Sequence, residues 1–95
     1  ELIDAAVVQA GLAVRQWRAG DRFRPLGAPG SRKLQDFFVD AGVPREARHS
    51  VPLIVCGEDI VWVGGHRLDD RFKVTPATTE TLRLTLTAGP QEEVA

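Results

Sequence analysis

Leu34, Phe37, Phe38 and Ala41 fall at i, i+3, i+4 and i+7, which places them on one face of a helix. The spacing predicts a helix over residues 32–41, with Ser31 as its N-cap and Gly42 in the C′ position, where a left-handed residue ends it. Arg32, Gln35 and Asp36 or Asp40 then occupy the solvent face. Val43-Pro44 interrupts the helix, and Pro44 is suited to open a short second helix carrying Arg45, Glu46 and Arg48. Residues 51–56 and 60–63 are continuous apolar runs of strand length separated by Gly57-Glu58-Asp59, the pattern of a buried hairpin ending at Gly64-Gly65. Leu12, Val14 and Gln16 alternate with Ala13, Arg15 and Trp17 as a strand entering a turn at Gly20. Leu82, Leu84 and Leu86 alternate with polar positions as a half-buried strand over residues 81–87. The prolines and glycines of residues 22–30 predict a loop. Residues 66–73 read as a polar loop, a short strand at 72–74 being an open alternative, and Thr75-Pro76 as a turn. Residues 1–10 are rich in Ala and Val without a clear period, so helix and strand are both open there. The sum is an α+β domain: a small mixed or antiparallel β-sheet with one principal helix and a short second helix.

Ninety-five residues hold one small domain with a modest core. An apolar fraction of 43% and a charged fraction of 26% are those of a chain that folds, not of a disordered one. One cysteine, Cys56, excludes an internal disulfide and fits a reducing cytoplasm. The apolar runs fall far short of the roughly 20 residues of a membrane span, so neither a membrane partner nor a signal peptide is expected.

A net charge of −1 argues against a strongly electrostatic nucleic-acid binder. The distribution alters that picture. Between Arg15 and Arg48 lie eight basic and four acidic residues, while Glu1, Asp4, Glu92 and Glu93 place acid at the two ends. A neutral domain can carry a local basic face of low affinity.

Catalytic chemistry finds little support. Cys56 with His49 or His66 would make a thiol–imidazole pair, but Cys56 sits in an apolar strand, where an inert thiol is the usual occupant. Two histidines and one cysteine without paired spacing form no metal motif. Asp69-Asp70 are neighbours on an extended segment and point apart, which suits a solvated loop or a partner for Arg71. The run from Gly27 to Lys33 lacks the Gly-Lys-Ser/Thr order of a phosphate-binding loop and no apolar strand leads into it. Trp62 and the phenylalanines read as core rather than as stacking platforms. What remains is a basic set, Arg22, Arg24, Arg32, Lys33, Arg48, Arg67, Arg71 and Lys73, from three segments that a small fold can gather on one face. Arg32 and Lys33, placed in the first turn of the predicted helix, would oppose its dipole, which suggests an anion held there by the helix amides. Several of the others can instead pair with Asp21, Asp36 or Asp70 and merely fix loops.

The ordered pieces Gly20-Asp21-Arg22-Phe23, Pro25-Leu26-Gly27, Gly30-Ser31-Arg32-Lys33-Leu34, Asp36-Phe37, Pro44, Arg48, Pro52, Ile60-Val61-Trp62-Val63, Gly65, Arg67 and Asp70-Arg71-Phe72-Lys73-Val74 closely resemble the C-terminal domain of the bacterial tRNA(Ile)-lysidine synthetases. The resemblance covers roughly residues 14–86. It divides the chain into a linker or divergent extension (1–12), a tRNA-binding domain (13–87) and a tail (88–95). It implies the compact α+β unit shared with a module of the phenylalanyl-tRNA synthetase β chain. It also implies a cytoplasmic parent ligase that adenylates the wobble cytidine of a CAU-anticodon isoleucine tRNA with ATP, after which lysine displaces AMP. ATP and lysine would belong to an N-terminal domain whose Ser-Gly-Gly-x-Asp-Ser loop is absent here, leaving this part without catalytic residues, metal or cofactor. The implied role is contact with the acceptor-stem side of the tRNA through the basic set. The alternatives are a structural module docking on the parent's catalytic domain without touching RNA, and, with less support, a small free-standing enzyme. Dimerisation through the parent is an open alternative.

Overall fold

The computed structural model describes residues 1–87; the expected tail at 88–95 lies outside them. The centre of the fold is a four-stranded antiparallel sheet. In chain order the strands among the described residues are β1 (Leu2–Asp4), β2 (Ala13–Arg15), β3 (Arg22–Phe23), β4 (Arg32–Lys33), β5 (Leu53–Cys56), β6 (Asp59–Val63), β7 (Arg67–Leu68) and β8 (Thr81–Arg83), with one α-helix among those residues, α1 (Leu34–Asp40), between β4 and β5. The central sheet runs β2-β5-β6-β7, and β1-β8 and β3-β4 form two separate antiparallel pairs.

The predicted hairpin is present as β5 and β6. Gly57 takes the positive φ of 61° that a two-residue turn with glycine first requires, so the loop is Gly57-Glu58 and Asp59 pairs with Cys56. The register then slips: Ile54 faces Trp62 and Val55 faces Ile60, leaving Val61 as an extra residue in β6. That bulge sends Val61 and Trp62 to the same core, whereas Ile60 and Val63 join the other. It also leaves the Val61 carbonyl to accept the Asp69 N–H at 2.8 Å.

Both faces of this hairpin are covered, which is why its strands read as unbroken apolar runs rather than alternating ones. On one face Leu53, Val55, Ile60 and Val63 pack against Phe23, Leu34, Phe37, Phe38 and Val51. On the other, Ile54, Val61, Trp62 and Leu68 pack against Ile3, Val8 and Phe72. Within residues 1–12, read from the sequence as a linker or divergent extension, Ile3 is fully buried, β1 pairs with β8 in the register Ile3↔Leu82, and Ile3 also bridges Lys73.

α1 is shorter than its apolar spacing predicts. Leu34, Phe37 and Phe38 are buried as expected, but Ala41 caps the helix and is exposed. Its C-terminus is a Schellman arrangement. Gly42, at φ 76°, donates to the Val39 carbonyl at 3.1 Å and Val43 to that of Phe38 at 2.9 Å, while Val43 packs on the first core. The start differs more. Ser31 is not the N-cap; Lys33 holds that position with extended backbone and no side-chain cap, because residues 32–33 are drawn into β4 by pairing with β3. The segment after Pro44 is a 3₁₀ turn, Arg45–Ser50. Where the sequence predicts a loop, with a short strand at 72–74 as an open alternative, there is a 3₁₀ turn at Asp70–Phe72; the strand expected over 81–87 is formed at Thr81–Arg83, all three exposed, and Leu84 exchanges backbone bonds with Glu1 at 2.6 and 2.7 Å. Leu84 packs on the second core, and Leu86 is exposed.

Candidate nucleic-acid interface

The loop predicted over residues 22–30 begins as a strand, and this is what arranges the basic residues. Alternation along β3 sends Phe23 into the first core and leaves Arg22 and Arg24 exposed. The register sets Arg22 opposite Lys33 and Phe23 opposite Arg32. Arg22 and Lys33 therefore share one face, and Arg32, on the other, pairs at the surface with Asp40 of α1. Arg32 and Lys33 lie in a strand rather than in a first helical turn, so helix amides do not build the anion site expected from the sequence. The register instead supplies a like-charged cross-strand pair, Arg22 and Lys33.

Asp69 fixes the position of Arg24 and Arg71. It is fully buried, and it is saturated: Oδ2 accepts the Arg24 N–H at 2.8 Å and Arg71 Nη2 at 3.0 Å, while Oδ1 accepts the Arg71 N–H at 2.8 Å and Arg71 Nε at 3.0 Å. The side-chain bond to Asp69 raises the Arg71 pKa above its ordinary value against the opposing effect of burial. Arg71 also reaches Asp59 at 3.4 Å. Asp70, next in the chain, accepts Lys73 Nζ at 3.1 Å and the Gly27 N–H at 3.2 Å, and these bonds, Lys73 first, hold its carboxyl below the usual range. Asp69 thus occupies the core rather than a solvated loop, while the pairing with Arg71 is as the sequence suggests.

Arg22, Arg24 and Arg71 meet with Ser31 and Asp59 around a hollow of about 210 Å³, where Arg22 Nη2 donates to Ser31 Oγ at 3.3 Å. Lys33 lies on the same face through its pairing with Arg22, and Lys73 is engaged by Asp70. The other three predicted residues are elsewhere. Arg32 and Arg67 line a second, larger hollow of about 390 Å³ with Leu26, Phe37 and His66. Arg48 does not join an exposed basic face at all: it is buried against Trp17 and Phe38. The eight residues thus divide into three groups, not one.

Asp69 and Asp59 were missed as organisers of this face. The signal for Asp69 was available, since an aspartate two residues before the amide it accepts is an Asx turn, here capping the 3₁₀ turn at Asp70–Phe72. Nothing local marks Asp59, which meets Arg71 only through the fold. Among the described residues no cluster of His, Cys, Asp and Glu could hold a metal ion, and no helix is long and apolar enough to cross a membrane.

The family model for the TilS substrate C-terminal domain matches residues 12–85. The chain belongs to this family. It is 40% identical over 82 residues to a tRNA(Ile)-lysidine synthase of Caldanaerobacter subterraneus subsp. tengcongensis, an alignment covering 86% of this chain and 18% of that protein. It is 48% identical over 80 residues to the tRNA(Ile)-lysidine synthase of Symbiobacterium thermophilum, covering 84% of this chain and 17% of that one. This TilS-type domain thus spans less than a fifth of the length of these relatives. A crystal structure of a TILS C-terminal domain superposes with a TM-score of 0.72 at 31% identity, covering 84% of this chain and 62% of the other. The α+β architecture with antiparallel sheets and one main helix is that of the TilS C-terminal domain.

Proposed function

We propose that this domain binds tRNA through the face formed by Arg22, Arg24, Lys33 and Arg71, as the C-terminal part of a cytoplasmic, ATP-dependent tRNA(Ile)-lysidine synthase. The observation that carries the reading is the Arg22–Lys33 pair. Like charges directly opposite in an antiparallel pair are destabilising, and here they are reinforced by Arg24 and Arg71 around one hollow, an arrangement that an external polyanion would relieve. The names of the relatives support the identity of the polyanion, a tRNA. The parent would use ATP and lysine at its catalytic domain on the wobble cytidine of a CAU-anticodon isoleucine tRNA. This domain would contribute phosphate and sugar contacts on the acceptor-stem side, which position the substrate without reading sequence.

Titrating the chain with a CAU-anticodon isoleucine tRNA and with an altered-anticodon tRNA, each at several salt concentrations, tests the reading. A few neutralised phosphates give a log–log salt slope of about −2 to −4, at roughly 0.7–0.9 per phosphate. Affinities for the two tRNAs that differ by more than about tenfold, or no response to salt, would refute backbone recognition. The latter result would favour the docking-module alternative, for which the edge strand β2, with Val14 68% exposed, offers a surface.

A further inference from the structure

The larger hollow, of about 390 Å³, is separate from the proposed tRNA face. Arg32 reaches it because the β3–β4 register puts Arg32 on the other side of that pair from Arg22 and Lys33. Its walls come from three places: the loop at 25–28, the C-terminal end of α1, and His66 and Arg67 where β6 turns into β7. These walls are fastened to one another. The Leu26 N–H donates to the Leu68 carbonyl at 2.8 Å and the Gly27 N–H to Asp70 at 3.2 Å, which ties the loop to β7 and the turn after it. The His66 N–H closes its own turn on the Val63 carbonyl at 2.8 Å, and the His66 ring stands edge-to-face with Phe37 and Phe38, 6.4 and 6.5 Å between centres. The hollow is therefore pre-formed, and its volume falls in the range of about 300–1,000 Å³ typical of ligand pockets.

Its chemistry is mixed. Leu26, 38% exposed, and Phe37 supply apolar surface, beside which stand the exposed imidazole of His66 and guanidinium of Arg67, both planar groups on which a base can stack. Asp40 adds an acceptor. Its Oδ2 takes the bond from Arg32, whereas Oδ1 accepts none among the described residues, and the side chain is 65% exposed. An open carboxylate oxygen repels a phosphate or an acidic side chain and attracts a neutral N–H donor. A lysine side chain that satisfied Asp40 would meet the positive charge of Arg67. Apolar surface, planar groups and one anionic acceptor together suit an uncharged flat ring with an amino group on its edge.

We infer that this hollow takes one unpaired nucleobase bearing an exocyclic amino group, supplied by a single-stranded nucleotide on the acceptor-stem side of the tRNA. The ring packs on the wall formed by Leu26, Phe37 and His66, and its amino group donates to Asp40 Oδ1. A base inside a stem has its amino group engaged by its partner and its faces covered by its neighbours, so a single strand is what this site selects. The inference rests on the tRNA-binding reading and adds to it a base-reading site, built on an acid and apolar groups, that leaves the indifference to the anticodon unchanged.

Two acceptor-stem minihelices of one sequence test it, the first blunt and the second with a short single-stranded 3′ extension containing cytidine and adenosine. The chain has two histidines, so their imidazole NMR signals report directly: His66 at the site, and His49, beside Trp17, as internal reference. The extended RNA should shift the His66 signal saturably, the blunt one should not, and His49 should move with neither. The extended form should bind about fivefold to tenfold more tightly, the lower part of the range for one stacked base. An extension of uridines, which lack an exocyclic amino group, should recover less of that gain. Asp40→Ala should erase the difference between the two RNAs, and His66→Ala, which leaves the Arg32–Asp40 pair in place, should do the same. Removing a carboxylate by charge alone would tighten both RNAs equally and preserve their difference, and that result overturns the site. So does equal binding of the two RNAs by the wild type, or a stationary His66 signal. Adenosine or cytidine monophosphate should shift His66 in the same direction only at far higher concentration; saturation below the concentrations at which the extended RNA binds would assign the hollow to a free nucleotide and overturn its role with RNA. Lys33→Glu run in parallel separates the two readings. If it weakens both RNAs while the wild type binds them alike, the basic face stands and this site falls. If the wild type binds neither RNA, both fall.

Discussion

Arg22 and Lys33 stand directly opposite each other in the antiparallel β3–β4 pair, two cations sharing one face. Stability and binding therefore pull in opposite directions at this position. Lys33→Glu converts a repulsive cross-strand pair into an attractive one, a gain of roughly 0.2–1 kcal/mol. The same change removes a cation from the proposed tRNA face. Thermal melting at low salt should show a small rise in Tm while tRNA affinity falls, and the stability gain should shrink as added salt screens the exposed pair. Lower stability together with unchanged affinity would mean that the pair serves the fold alone.

Asp69 is the residue on which the face depends. It is buried and accepts four hydrogen bonds, three of them from Arg71. Asp69→Ala leaves the Arg24 amide without its acceptor and Arg71 with only its longer contact to Asp59. Breaking a buried pair from one side costs about 3–5 kcal/mol. Denaturant unfolding should show that loss, a large fraction of the stability of a domain this small.

The helix offers an internal control. Phe38 is fully buried and Val39, its neighbour, is 63% exposed. Phe38→Ala should cost about 3–5 kcal/mol, whereas Val39→Ala should stay within about 0.5 kcal/mol. Equal effects in chemical denaturation would contradict the face assigned to α1.

Asp70 gives a pH signature. Its carboxyl is held below the usual range by Lys73 and the Gly27 amide, so the folded state binds the proton more weakly than the unfolded chain does. The stabilisation is present above the unfolded carboxylate pKa, about 3.9, and is lost as pH falls through the lower folded value. Asp70→Asn should melt below wild type at pH 7, and the gap should close on acidification below about pH 4.

The parts of the fold legible in the sequence were those decided by local pattern. The hairpin around Gly57, the apolar stripe of α1 and the glycine stop at Gly42 all follow from short-range spacing and backbone preference. Where tertiary pairing overrode local preference, the reading failed. Ser31 has the chemistry of an N-cap, but residues 32–33 gain more from pairing with β3 than from an extra helical turn, and the predicted anion site went with them. Residues 1–10 lack a period because they alternate against nothing: a three-residue strand and a 3₁₀ turn place Ile3 and Val8 over the second face of the sheet. Arg22, Arg24 and Arg71 were singled out by type and proximity in the motif, and the fold gathers them around one hollow. Arg48 was not separable from them, since a basic residue between Ala47 and His49 carries no local sign that two rings will enclose it. The roles of Asp59 and Asp69 depended on contacts across long stretches of chain.

Those long contacts also set when the face can exist. The Asp69 bond to the Arg24 amide joins residues 45 apart in sequence, and the Asp70 bond to the Gly27 amide joins residues 43 apart. Closing a loop of that length is an entropic cost met only when the hairpin and helix between them have formed, and non-local contacts of this kind slow folding. Arg22 and Arg24 on a half-folded chain are scattered charges, and they become a surface only once residues 69–71 dock. A domain emerging from the ribosome would therefore present no such surface until residues 69–71 had been made.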